Sequence, residues 1–211
     1  MIEHPNEICL ASNSPRRRAL LERLGVPFFV KAAGDEVEEE ILSSGRGHEA
    51  EEVAVARATI KGKAVRRLLA CESDDRLNRA SVLSADTVVH IDSDLLDKPS
   101  DHDQARVFLT RLAGQEHGVI TALWLWHQGQ EYQRWVRTWV RFGEISSDLI
   151  EAYIRTGEPF DKAGGYGIQG VGATLVESIR GCYFNVMGLP LFVTSRLFSE
   201  VGISWELDSS F

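Results

Sequence analysis

Residues 81–91, SVLSADTVVHI, constrain this chain most. The run is rich in Val, Ile and Thr and stops at Asp92-Ser93-Asp94, which predicts a strand entering a turn. Asp86 and Thr87 interrupt its otherwise apolar course. Desolvating a carboxylate is costly unless it has a metal, a charged partner or a chemical task. The plainer alternative is a carboxylate that caps a nearby backbone turn.

The segments around this run alternate in kind. ICLAS (8–12) reads as a short buried strand, followed by a helix with Ser14 at the N-cap, Pro15 at the first helical position and Gly25 as its stop. Leu20, Leu21 and Leu24 supply that helix's apolar stripe. PFFVKAA (27–33) predicts a second strand, and a long helix follows from Glu49 to Ala70. Asp101 starts another helix, with Gln104 in a capping-box position and Ala105, Phe108, Leu109 and Leu112 on its buried side; Gly114 ends it. GVITALWLWH and EYQRWVRTWVRF flank Gln128-Gly129-Gln130 as a β-hairpin. DLIEAYIRTG (148–157) reads as a short helix and LPLFVTSRLFSEVG as a closing amphipathic one. Strands alternating with helices predict an α/β protein with a mixed sheet. With 211 residues and no repeat, low-complexity stretch or clean linker, the expectation is one domain over 1–211, or two lobes sharing a core.

Composition narrows the function classes. A formal charge of −8 argues against sequence-independent binding to a nucleic acid polymer, though not against a small anionic ligand. Part of the acidity is local, in GDEVEEE (34–40) and EAEE (49–52), which read as a solvated loop and helix face. No apolar stretch approaches the roughly 20 residues a membrane span needs. MIEHPNEICLAS lacks the basic and apolar regions of a signal peptide. Cys9, Cys71 and Cys182 have no C-x-x-C spacing, which points to a reducing cytoplasm without a disulfide framework or structural zinc.

Three clusters carry the chemistry. Arg16, Arg17 and Arg18 stand in the first turn of a helix, where unpaired N–H groups and the helix dipole are already positive. That arrangement is either an anion trap suited to phosphate or a charged turn facing water, and steps of about 100° splay consecutive side chains, so not all three need point inward. Asp86 forms the second cluster, followed closely by Lys98 in DKP. The third is GEPFDKAGGYGIQG (157–170), glycine-rich, carrying Glu158, Asp161 and Lys162 together with Gln169, whose amide donates and accepts side by side. It lacks the P-loop pattern. Trp135, Arg137, Trp139 and Arg141 share one face of their strand; stacked bases could use them, but cation–π pairs on a half-exposed strand are the stronger expectation.

LASNSPRR (10–17), SADTVV (84–89), LLDKPSD (95–101), LAGQEHGVITAL (112–123), GEPFDKAGGYGIQG (157–170) and NVMGLPL (185–191), taken in order, resemble the Maf family of nucleoside triphosphate pyrophosphatases. The resemblance spans about residues 8 to 198. It implies an elongated mixed β-sheet flanked by helices, with two lobes around a cleft, similar to inosine triphosphate pyrophosphatases. It also implies hydrolysis of a nucleoside triphosphate to monophosphate and pyrophosphate with a divalent cation, Mg²⁺ or Mn²⁺. By motif match Asp86 would be the proton acceptor, while Ser12, Arg16, Arg17, Lys61, Lys98 and Lys162 would line the phosphate site. Lys63 competes with Lys61 in ATIKGKA. Glu38 and Glu39 align with the family's acidic pair as candidate metal ligands.

Within the family, Arg16, Thr87 and Gln169 match the branch acting on dTTP and UTP. Ser84 and Gly165 stand where glycine and alanine are commoner, both small changes. The resemblance further implies a cytoplasmic homodimer that clears nucleotide pools, with a connection to septum formation. A branch acting on 7-methyl-GTP and a non-catalytic septation regulator are the alternatives.

Overall fold

A computed structural model of the chain describes residues 7–34, 37 and 49–205. The elements in order are β1 (Ile8–Leu10), α1 (Pro15–Glu22), β2 (Phe28–Val30), α2 (Ala50–Ala70), α3 (Asp75–Arg79), β3 (Ser81–Ile91), β4 (Asp94–Leu96) and α4 (His102–Leu112). They continue with β5 (Glu116–His127), β6 (Gln130–Phe142), α5 (Ser147–Ile154), β7 (Val176–Arg180), α6 (Tyr183–Val186) and α7 (Leu191–Val201). Short 3₁₀ turns cover Glu158–Asp161, Ala163–Gly165 and Val171–Leu175. The α/β class and mixed sheet expected from the alternation are what the chain forms.

The sheet runs β2-β1-β3-β5-β6-β7, with β4 also on β3. The β2, β1 and β3 pairings are parallel and the rest antiparallel. β5 covers β3 from Val82 to His90 along one edge. On the opposite edge β1 pairs only with Ser81–Leu83 and β4 only with Val89–Ile91. Neither strand reaches residues 84–88. The sheet therefore opens at its centre, beside Asp86 and Thr87.

Alternate β3 side chains enter different cores. Leu83 and Ala85 join a cluster with Leu20, Leu21, Leu24, Leu197 and Phe198, beneath α1 and α7. Val89 and Ile91, on the same face by strand periodicity, join Leu109, Leu112, Ile150 and Tyr153 of α4 and α5. Thr87 lies between these two clusters. On the other face Val82 and Val88 pack with Val53, Ala54, Ala58 and Val65 of α2. Phe108, expected inside, is only partly buried at the margin of its cluster.

Local signals behave as their chemistry dictates. The Ser14 Oγ accepts from Arg17 N at 3.4 Å, and Gly25 sits at φ 61° after the helix. The capping box of α4 closes one residue early: Gln104 N donates to Asp101 Oδ1 at 2.8 Å, and Ser100 N donates to Gln104 Oε1 at 2.7 Å. Gln128 and Gly129 form a two-residue hairpin turn at φ 48° and 84°, the left-handed pair that matches strand twist. β2 stops at Val30, short of the expected 27–33, because its only neighbour β1 offers three residues. The cation–π reading of the exposed β6 face holds, with Arg137 and Arg180 at 5.2 and 5.7 Å from the Trp139 ring.

α2 lies against β5 through Gly62. A Cβ there would fall 2.1 Å from Trp124 Cε3 and 2.7 Å from Ser84 Oγ. Alanine ordinarily favours a helix over glycine by about 1 kcal/mol, but an overpacked core costs about 1–3 kcal/mol or more. Trp124 is fully buried and cannot yield. Gly62→Ala should therefore lose about 2 kcal/mol and lower the thermal midpoint by roughly 5 °C. A midpoint unchanged or raised in calorimetry would show that α2 and β5 do not meet this closely.

Candidate active site

The gap in the β3 edge opens into a cleft of about 790 Å³. Ser12, Arg16, Arg17, Lys61, Asp86, Thr87, Lys98, Lys162 and Gln169 all line it. Glu38 and Glu39 lie outside the described residues; Val37, next to them in sequence, lines the cleft.

Asp86 forms the cleft's charged floor and is 6% exposed. Its Oδ1 is paired with Lys61 Nζ, which reaches down from α2. Lys63 instead pairs with Glu131 at 3.1 Å, on the outer side. The competition between the two lysines is thus resolved by helix geometry: positions 61 and 63 are about 200° apart around the axis. Ser84, on the same face as Asp86, satisfies its hydroxyl by donating to Ala58 O at 2.6 Å.

The arginine triplet splays as 100° steps require. Arg16 meets Asp161 Oδ2 at 3.1 Å, Arg17 turns into the cleft, and Arg18 pairs outward with Glu22. Arg17 ties three segments together. It donates to Gly188 O at 2.9 Å, Thr87 Oγ1 at 3.2 Å and Ser12 Oγ at 3.4 Å. Burial lowers the proton affinity of its guanidinium, which the charge of Asp86 opposes and that of Arg16 reinforces. Thr87 continues into a buried polar chain. Its Oγ1 lies 2.8 Å from Thr121 Oγ1, which donates to Asn185 O at 2.8 Å. Asn185 donates to Val119 O and Thr138 Oγ1, each at 3.0 Å.

Across the cleft, Lys162 Nζ reaches Asp161 at 2.5 Å and Glu158 O at 2.8 Å. Asp161 is held below the usual carboxylate range: burial would raise it, but hydrogen bonds and charges from Lys162 and Arg16 prevail. Among the described residues, Lys98 and the Gln169 amide have no hydrogen-bond or ion-pair partner, so both are open to a ligand.

One charged pair escaped the sequence reading. Arg57, 5% exposed on α2, forms a two-pronged pair with Asp97 at 2.5 and 3.3 Å. Burial alone would lower this arginine's proton affinity; the Asp97 hydrogen bond and charge outweigh it and raise it. Arg57 lies one helical turn before Lys61, and that i,i+4 spacing of cations was the available signal. The backbone of Asp97, beside Lys98, also accepts from Gly164 N at 3.2 Å, tying the two lysine-bearing loops together.

No group of three His, Cys, Asp or Glu side chains converges as a metal site among the described residues. A hard cation such as Mg²⁺ often binds through one or two carboxylates and substrate phosphates rather than an all-protein cage. Asp86 facing a bound polyphosphate is a donor set of that kind.

The family model described as Maf-like protein matches residues 7–201. This chain belongs to the Maf-like family. Among Maf-like relatives, the dTTP/UTP pyrophosphatase of Symbiobacterium thermophilum is 41% identical over 93% of this chain and 94% of its own. That of Thermococcus kodakarensis is 42% identical over 92% and 96%. A solved HAM1 protein structure from Coxiella burnetii is 14% identical, covers 64% of this chain and 72% of its own, and has a TM-score of 0.42.

In this Maf-like chain the glycine-rich segment is anchored at Tyr166, which burial keeps well above the usual phenol range. Its hydroxyl lies 2.8 Å from His117 Nε2, while His117 Nδ1 is buried without a partner among the described residues. Burial, with a smaller contribution from His90, lowers His117 to about 4. The unfolded chain takes up this proton below about 6.5, so the stabilisation is present above that pH and drains away as pH falls towards 4. The slope is at most about 1.4 kcal/mol per pH unit. Thermal midpoints should fall more steeply between pH 6.5 and 4 for the wild type than for His117→Gln. Parallel curves would assign the acid sensitivity to other groups.

Proposed function

We propose that this Maf-like chain hydrolyses dTTP and UTP to the monophosphate and pyrophosphate. The observation that carries the reading is a single cleft combining Asp86, a ring of Arg16, Arg17, Lys61, Lys98 and Lys162, and the open amide of Gln169. The names of its relatives at about 41% identity support the same substrates.

A triphosphate brings three to four negative charges, which the cationic ring is suited to meet. The α1 N-terminus adds backbone N–H groups and dipole, with Ser12 beside it. Lys61 would exchange Asp86 for phosphate as the nucleotide enters, leaving Asp86 free to take a proton from water. That water adds across the anhydride between the α and β phosphates; one product leaves as the nucleoside monophosphate and the other as pyrophosphate. Positioning and charge complementarity supply most of the rate in such transfers. A Mg²⁺ or Mn²⁺ ion, held by Glu38 and Glu39 as the resemblance implies, would neutralise phosphate charge. Arg16, Thr87 and Gln169 would choose the pyrimidine; Gln169 suits a uracil-type edge because donor and acceptor stand side by side.

Clearance of unwanted pyrimidine nucleotides in the cytoplasm is the cellular role this reading favours. The free thiols of Cys9, Cys71 and Cys182 fit a reducing compartment, and no described helix is long and apolar enough to cross a membrane. A homodimer belongs to the same reading on the resemblance alone, and sedimentation of the purified chain tests it.

The decisive experiment is a nucleotide panel with Mg²⁺ or Mn²⁺, resolving phosphate from pyrophosphate. Pyrophosphate should appear from dTTP and UTP. Asp86→Asn should lower kcat by about 10²–10⁴-fold with little change in KM. Turnover of 7-methyl-GTP instead would keep the chemistry and overturn the base assignment. Binding without turnover would overturn the enzyme reading in favour of a regulator.

A further inference from the structure

The loop carrying Gln169 is shaped by two side chains outside the phosphate ring. Tyr153, on α5 and 2% exposed, directs its hydroxyl at the loop. That hydroxyl accepts from Gly167 N at 3.0 Å and donates to Glu158 Oε1 at 3.0 Å. Glu158 Oε1 also accepts from Gly172 N at 3.1 Å, and Oε2 accepts from Val171 N at 2.9 Å. Backbone donors on both sides of Gln169 thus end on one tyrosine–carboxylate pair. The glycines permit this approach: a Cβ at Gly170 would fall 2.2 Å from Glu158 Oε2, and one at Gly172 would fall 2.6 Å from Tyr153 Oη.

We infer that Tyr153 and Glu158 are positioning residues for base selection, fixing the backbone from which the Gln169 amide reads the pyrimidine. The inference rests on the assignment of Gln169 under the proposed function. The physical need is specific. An amide that can shift or turn over meets a uracil edge and a cytosine edge alike, because the two present opposite donor and acceptor orders. Discrimination by hydrogen bonding is large only when the wrong edge leaves buried groups unpaired, which requires the reader to stay in place. Glu158 borders the cleft, but its Oε1 takes bonds from Tyr153 and Gly172 and its Oε2 takes one from Val171, so its part is to fix the loop that carries Gln169. Tyr153 keeps its proton because burial pushes the phenol above its ordinary range, with Glu158 adding to the rise against the bond from Gly167.

The test measures kcat/KM for UTP and CTP in the wild type, Glu158→Gln and Tyr153→Phe. Glutamine turns an N–H₂ towards a backbone N–H and so loses an acceptor, while phenylalanine keeps the ring and deletes both hydroxyl bonds. The expected result is a UTP-over-CTP ratio narrowed by about tenfold or more, through a raised KM for UTP with kcat largely retained. Amide hydrogen exchange of Gly167, Val171 and Gly172 should quicken in the same variants. A merely structural role would lower turnover of both nucleotides together and leave their ratio unchanged, and that outcome overturns the inference alone. If Glu158→Gln does not fold, Tyr153→Phe decides by the same ratio. A wild type that hydrolyses UTP and CTP equally overturns the uracil-edge assignment of Gln169, and this inference with it.

Discussion

The molecule is organised by the unequal pairing of one strand. β5 clasps β3 almost throughout, but the other edge of β3 is shared by β1 at its start and β4 at its end. Among the described residues, no strand neighbours the five residues between them on that side. A parallel partner that leaves and an antiparallel one that arrives create a crevice in the middle of a sheet, where ligands of open α/β folds commonly bind. The two apolar clusters on the Thr87 face bracket this crevice, and the third cluster, with α2, forms its back.

That geometry explains how polar residues survive in the centre of the fold. Asp86 is nearly buried, but Lys61 answers its charge from α2. Arg57, deeper still, is answered by Asp97 one strand away. Among the described residues Arg17 has no carboxylate in contact and is satisfied by hydroxyls and a carbonyl, which leaves its charge available to a phosphate. Among the described residues, each cation around the cleft is held by neutral acceptors, by a carboxylate, or by neither, as with Lys98. A polyphosphate would meet these cations in place of a carboxylate, and an Asp86 released by Lys61 would then draw a proton or a cation.

Much of this was legible before the fold was known, for identifiable reasons. The β3 boundaries, Ser81 and Ile91, follow from a run rich in Val, Ile and Thr that ends in a polar turn. The start of α1, the cap at Asp101 and the Gln128-Gly129 turn are local chemistry, decided within four residues. β4, α3, α6 and β7 were not anticipated. They are short, and β7 (VESIR) is mostly exposed and lacks periodicity, so only its pairing with β6 from Trp139 to Phe142 makes it a strand.

The sequence by itself determined the class of fold, the basic helix start, the buried acid at Asp86 and the open-backbone segment around Gln169. Composition and motif spacing suffice for these because each is a local demand of charge, backbone freedom or hydrophobic period. Only the tertiary structure decided which groups face one another. It selected Lys61 over Lys63 through helical phase, joined Arg57 to Asp97 across 40 residues, and closed the Gly167–Gly172 backbone on Tyr153 and Glu158. Partnerships of that kind depend on where α2 and α5 come to rest against the sheet, and that is set by the burial of three apolar clusters together rather than by any stretch of sequence read alone.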